Sequence, residues 1–393
     1  MKGCAYMKKL VSLVLILMLA LSMSSFVAAE GEDLGIGSAK IAILTGTTSQ
    51  GEEEYRAAQA LAAKYPANVI TATYPDNFSS EVETIIGTVM QFATDPDVKA
   101  IIFVQSVPGA AAAFQAAREV RDDLLLIAGV FGDNPDVIGA VADIVLNADD
   151  FAQGKQIIDI IQGWGVDVFV HYSFARHMSY DTIVARHKLF KQYCDEAGIQ
   201  MVDRDAPDPT GEAGTTGAQQ FILEDLPRAM AEFEGKKVAF FSTNCSMQEP
   251  LQKAVLGQPN AYYPMPCCPS PYHGFTGSMG IAVEENEWGD FELFLGKTAV
   301  KLAEVDALDR FSTWPLALNM GMISAAFDYS TQWIRGDFTE KLNPEAMAAC
   351  LKTAASGYDA ALANFVMDDG AVMDNIFLVL VDNVNYNDFV EAK

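Results

Sequence analysis

From residue 40 onward, short apolar runs alternate with segments whose apolar residues recur every three or four positions. Lys40–Thr45 (KIAILT) suits a buried strand and is followed by a Gly/Thr/Ser loop. Glu52–Tyr65 places Tyr55, Ala58, Leu61 and Ala62 on one helical face, Pro66 ends that helix, and Asn68–Thr73 (NVITAT) reads as the next strand. The unit recurs as helix Ser80–Phe92, strand Ala100–Val104, helix Ala110–Val120, strand Leu124–Val130 and a short strand Asp143–Leu146. A second series follows: helix Phe151–Gly163, strand Asp167–Tyr172, helix Tyr180–Ala197, strand Gln200–Asp203, helix Gln219–Phe233, strand Lys237–Ser242 and helix Gln248–Leu256. The remainder predicts a strand at Asn260–Pro264, a helix at Glu292–Glu304 and an extended Arg310–Trp314. Helices at Leu318–Gly336, Pro344–Ala354 and Tyr358–Phe365 precede a last strand, Asn375–Asp382 (NIFLVLVD).

Strands that are apolar without alternation, separated by amphipathic helices, describe parallel sheets covered on both faces. Two such series predict an α/β protein of two Rossmann-like lobes, each a parallel sheet with helices on both faces, joined by a multi-strand hinge. Lobe I is expected over 39–147 plus about 315–340, and lobe II over 148–314 plus about 341–393. Ligands of open parallel sheets bind beyond the carboxyl ends of the strands. Two facing sheets would therefore form a cleft that a hinge closes.

The amino terminus changes the picture of location. Lys8-Lys9 precede an apolar run from Leu10 to Leu21, and Val27-Ala28-Ala29 offers the small residues that a signal peptidase reads. Residues 1–29 are thus expected to be a signal peptide and 30–38 a flexible lead. The apolar run is short for a membrane span, so the mature chain is expected outside the cytoplasm with no direct membrane insertion after cleavage. The formal charge of −26 becomes about −29 once the three leader lysines are removed. Such a charge repels nucleic acid and anionic lipid and argues against both as partners.

Five cysteines remain in the mature chain, Cys194, Cys245, Cys267, Cys268 and Cys350, with no repeated spacing. Pro266-Cys267-Cys268-Pro269 with His273 could suggest a metal, but no CxxC or HxxxH accompanies it. No metal and no cofactor are therefore expected. Catalytic patterns are missing too: Ser278 follows Gly277 but lacks the glycine two residues before it that a nucleophile elbow needs.

Candidate ligand contacts stand at strand ends. Gly46-Thr47-Thr48-Ser49-Gln50-Gly51 has the glycine spacing of a phosphate loop, yet Glu52-Glu53 replace the Lys-Ser/Thr pair and would repel a nucleotide. Thr47, Thr48 and Ser49 remain candidates for a polar ligand. Gln105 and Ser106 follow the third strand, and Asp133 and Asn134 the fourth, where Asp and Asn serve equally as helix caps. The stretch from His171 to His177 combines Phe174, Arg176 and His177 after the first strand of lobe II. Tyr272 and His273 could line the same cleft.

These features resemble the type I periplasmic-binding-protein superfamily, the ribose-binding-like branch that also supplies the ligand domains of LacI-type repressors. Val238–Ala254 (VAFFSTNCSMQEPLQKA) is similar to that family's strand, Asn-Asp and helix, with Asn244 on the ligand-contacting Asn and Cys245 where Asp is usual. Phe311–Gly336 resembles the return strand and helix into lobe I, with Gly321 internal and Gly336 terminal, and Trp314 near a ligand contact. Arg176 matches loosely the arginine after the first strand of lobe II. Cys245, the proline-rich 264–271 segment and the long tail depart from the pattern, setting the chain on a branch of clostridial type whose ligand the resemblance does not supply.

The resemblance implies an exported, non-enzymatic solute-binding protein that captures a small polar ligand, a sugar, nucleoside or similar, for an ABC permease at the membrane. Aromatics such as Phe174 and Trp314 would stack on a ring while Gln105, Asp133, Arg176 and Asn244 fix its orientation. An extracytoplasmic ligand-sensing module docking on a membrane receptor or sensor kinase is the alternative. A transcriptional regulator of this fold would need a DNA-binding headpiece where the leader stands.

Overall fold

A computed structural model describes residues 33–367 and 369–390; the expected signal peptide lies outside the described residues. The first sheet contains β1 (Lys40–Thr45), β2 (Val69–Thr73), β3 (Val98–Val104), β4 (Leu125–Gly129) and β5 (Ile144–Ala148), together with β10 (Ala360–Val366) and β11 (Val372–Val381). Its order is β10-β11-β5-β4-β3-β1-β2, parallel throughout except for the antiparallel β10–β11 pair. Between these strands run α1 (Thr48–Lys64), α2 (Val82–Thr94), α3 (Ala110–Val120) and α4 (Pro135–Val141). The apolar run in β3 has a direct structural cause. Ala100, Ile102 and Val104 pack into the core on one face, while Ile101 and Phe103 meet Ile85, Val89 and Phe114 from α2 and α3 on the other.

The second sheet has the order β7-β6-β8-β9, all parallel, from β6 (Val168–Ser173), β7 (Gln200–Asp205), β8 (Val238–Ser242) and β9 (Ala261–Tyr262). Its helices are α5 (Asp150–Gly163), α6 (Asp181–Ala197), α7 (Gly214–Glu232) and α8 (Gln248–Leu256), then α9 (Phe275–Met279) and α10 (Phe291–Glu304). Rings interlock on both faces. Phe190 of α6 meets Phe169 and Phe241 edge-on, and across the sheet Tyr172 stacks on Phe240 and meets Phe221 of α7. The last helices, α11 (Leu318–Arg335) and α12 (Pro344–Ala354), pack with the first sheet's lobe.

The tail requires a correction. The sequence pattern assigns residues beyond 340 to lobe II and makes Tyr358–Phe365 a helix, whereas β10 and β11 extend the first sheet beside β5. An unpaired β5 would expose backbone donors and acceptors. Pairing with β11, which buries Ile376, Phe377 and Leu378, outweighs the weak helical spacing of this segment. The turn at Tyr386–Phe389 lies with the second lobe, where Tyr386 meets Phe275.

The chain passes between lobes three times, and the passages are tied together. Asp149 N–H donates to Val379 O at 2.8 Å, Val384 N–H to Thr313 O at 2.8 Å and the Ser312 hydroxyl to Val384 O at 2.7 Å.

Because β11 is an integral strand, Phe377→Ala should destabilise the protein by about 3–5 kcal/mol in urea unfolding. Val366→Ala on exposed β10 should cost less than about 1 kcal/mol. Equal small losses at both positions would contradict the integral role of the tail.

Candidate functional site

The carboxyl ends of the two sheets face one another across the cleft. Gln105 ends β3 with φ 55° and Val130 follows β4 with φ 51°, so both central strand exits hold side-chain-bearing residues in the left-handed region. For Val that conformation is costly and is held by surrounding structure, as is common at binding sites. From the opposite lobe, the loops after β6 and β8 bring Arg176, Thr243, Asn244 and Cys245.

Two adjoining cavities result. One, of about 210 Å³, lies between the 48–54 segment and Gln105 of the first lobe and Thr215, Gln219, Cys245, Ser246, Glu249 and Tyr272 to Gly274 of the second. The other, of about 120 Å³, lies between Phe78, Val107 and Phe131 on one side and Arg176, His177, Asn244, Cys267 and Cys268 on the other. Gln50, Gln105 and Cys245 border both. Spaces this size are below those of drug-sized ligands and fit a small polar molecule.

Local structure explains the glycine spacing of the first loop. A Cβ on Gly46 would fall 2.8 Å from the Tyr74 hydroxyl, and one on Gly51 would fall 2.5 Å from the Glu54 carboxylate. Helix α1 begins at Thr48, earlier than its spacing indicates, but Gly51 leaves helical geometry and regular helix resumes at Glu52. The kink folds Glu54 into the cleft, where its Oε1 accepts from Gln105 Nε2 and from Asn319 Nδ2 at 3.0 Å. Glu53 accepts from the Ser270 hydroxyl at 2.7 Å, an interlobe bond. Asn319, 4 % exposed, lines the larger cavity with its Oδ1 unpartnered.

Burial dominates the electrostatics. It pushes Glu53 up to about 8, and the Glu54 charge beside it adds to the rise. Glu54 is likewise raised by burial. His177 is driven down to about 3 by burial and by Arg176, which leaves it neutral beside Thr243. For His273 burial acts downward, but the charges of Glu53 and Cys268 outweigh it and the imidazole is raised. Cys245 is lowered because Cys267 and Cys268 can both donate to its sulfur.

Of the residues singled out in the sequence, Thr48, Ser49, Gln105, Tyr272 and His273 line the larger cavity, while Gln105, Arg176, His177 and Asn244 line the smaller. Arg176 spends its fork on Asp208, at 2.8 Å from both Nε and Nη2, and on the Tyr180 hydroxyl. Its guanidinium lies 5.3 Å from the centre of the Phe78 ring across the cleft, so it acts as an interlobe contact. Asn244 caps its own turn by accepting from Ser246 N–H and Oγ.

Trp314 stands apart as a correction: it is fully buried in the hinge and donates Nε1–H to Gln156, outside both cavities. Asp133 accepts from Gly109 and Ala111 N–H, the helix-capping role open to it. Ser106 donates to Gly129 O, Thr47 is tied to Asp76, and Phe174 is buried against His177; with Asn134 at the start of α4, these four are outside both linings. Glu54, Cys245 and Asn319 were missed. Glu54 sits in a run of three acids that reads as a solvated helix face, and Asn319 reaches the site from 265 residues away.

The family model described as "Protein of unknown function (DUF3798)" matches residues 39–312. A Treponema pallidum (strain Nichols) protein described as uncharacterized is 31% identical over 179 residues, spanning 44% of this chain and 80% of the relative. Among solved structures, a Clostridium difficile 630 protein provisionally assigned as a transcriptional regulator superposes with TM-score 0.70 at 20% identity, covering 88% of this chain and 99% of its own. A periplasmic solute-binding protein of an ABC transporter from Actinobacillus succinogenes 130z, with bound D-allose, gives 0.53 at 13% identity and covers 79% and 99%. The fold is that of the type I periplasmic binding proteins.

A raised carboxylic acid favours the folded state while protonated. Its contribution is full below the unfolded value near 4.5 and is lost as pH rises towards about 8. Glu53→Gln, a neutral isostere, should therefore gain stability over the parent as pH rises from 5 to 8, by up to about 1.4 kcal/mol per pH unit. Urea unfolding at both pH values measures the difference; parallel profiles would show that Glu53 carries no such burden.

Proposed function

The chain belongs to the DUF3798 family, and we propose that it is an exported solute-binding protein that closes its two lobes on a small polar ligand and delivers it to an ABC permease. One observation carries the reading: polar groups from the carboxyl edges of two parallel sheets converge on a shared enclosed space, with the buried Asn319 Oδ1 left for a donor from outside the protein. Glu54 and Gln105 supply further groups from one wall, and Ser246, Tyr272 and His273 from the other. Closure excludes water, which strengthens each of these hydrogen bonds. The apolar leader supports export, and among the described residues no helix is long and apolar enough to cross a membrane.

Ligand sensing is the second reading, favoured by the fold shared with the provisional regulator of Clostridium difficile. Lobe closure serves both roles. Deletion that abolishes uptake of the ligand identifies transport, while intact uptake with a lost transcriptional response identifies sensing.

Native mass spectrometry is the direct test. The protein should carry a small-molecule mass excess that disappears on denaturation, and Gln105→Ala should lose it while retaining its circular dichroism, through at least about tenfold weaker binding. No excess in the parent and no thermal shift with sugars, polyols and nucleosides would sink the proposal.

A further inference from the structure

The cysteines that lack a metal-binding spacing in sequence converge in space. Cys245 Sγ lies 3.5 Å from Cys267 Sγ and 3.6 Å from Cys268 Sγ, and Cys245, Cys267 and His273 offer ligand atoms all within 4.8 Å of one another. Ligand atoms on one tetrahedral Zn²⁺ stand about 3.5–3.8 Å apart, so a small contraction would seat an ion. His273 Nδ1 lies 2.9 Å from the Cys268 carbonyl oxygen, which can only accept, so Nδ1 carries a proton and the neutral imidazole keeps its lone pair on Nε2.

The lining on the His273 side is acidic: Glu52, Glu53, Glu54 and Glu249 border the larger cavity and no Lys or Arg does, while Arg176 and Arg186 border the smaller one that Cys267 lines. Cys245 and His273 are only partly buried, which leaves an entry path, while Cys267 is buried behind them. Three protein ligands facing a cavity leave one coordination position open, as in zinc sites that exchange their fourth ligand.

We propose that the cleft holds a thiophilic, four-coordinate cation of the Zn²⁺ type on Cys245, Cys267 and His273, with the fourth position facing the cavity. The inference deepens the solute-binding reading by naming a ligand class for the same cleft. It rests on that reading only for the cavity's role. On binding, both cysteines ligate as thiolates and His273 as a neutral imidazole, every proton these three groups still hold passing to solvent.

The test uses the protein purified anaerobically with a non-thiol reductant and stripped of metal, then titrated with Zn²⁺, with Co²⁺ as chromophore. One equivalent should bind, with thiolate-to-Co²⁺ charge-transfer absorption. Cys245→Ser and His273→Gln should each weaken Zn²⁺ binding by at least about tenfold. Cys267→Ser should remove part of the charge-transfer intensity, and Cys350→Ser, a thiol outside the cluster, should change nothing. Folding of every variant is checked by circular dichroism. Absence of stoichiometric uptake, uptake unaffected by Cys245→Ser and His273→Gln, or a disulfide at Cys245 in protein isolated without reductant would each overturn the inference. An organic ligand released on denaturation without any Zn²⁺ uptake would retire the metal site and leave the solute-binding proposal standing.

Discussion

A parallel sheet covered by helices on both faces has little left to offer a ligand except its carboxyl edge, and this constraint organises the molecule. Side chains of β3 and β6 are consumed on both faces by packing, so chemistry is confined to the residues at which the strands stop. Gln105, Val130, Arg176 and Cys245 are such residues, and each belongs to the cleft. The left-handed conformations of Gln105 and Val130 show the backbone turning sharply to present those edges.

The second lobe depends on the same geometry through the hinge. Three passages hydrogen-bonded side by side hold the edges opposed, and buried Trp314 is braced there against Gln156. Interlobe contacts then close the cleft: Glu53 with Ser270, Gln105 with Cys245 at 3.7 Å, and Arg176 over Phe78. Polar groups that cross between lobes stabilise a closed form, while raised acids such as Glu53 weaken it at higher pH.

Carboxylates, thiols and an imidazole in one small space make a cleft unlike a purely hydroxyl-recognising pocket. Their proximity follows from where β8 ends and from the proline-flanked turn at Cys267 and Cys268, which returns beside it. Gly51 completes the arrangement by removing the Cβ that would collide with the Glu54 carboxylate.

How far the sequence reached follows from which forces are local. Periodicity marked nearly every strand and helix of both lobes, because burial on two faces or one is written directly in the spacing of apolar residues. Loops after strands are recognisable as the edge where side chains remain free, and Thr48, Gln105, His177 and His273, read from those loops, line the two cavities. Long-range pairing decided the rest. Tyr358–Phe365 has local spacing fit for a helix, yet β5 needed a partner and the tail became strands. Asp133, Ser106 and Trp314 stand at strand ends or in the hinge, but partners 22 to 158 residues away claimed their polar atoms. Adjacent cysteines carry no ligand spacing in one dimension. Only the folding of β8 against the turn at 267 and 268 brought three sulfurs together, because side-chain convergence is set by tertiary packing and leaves no local trace.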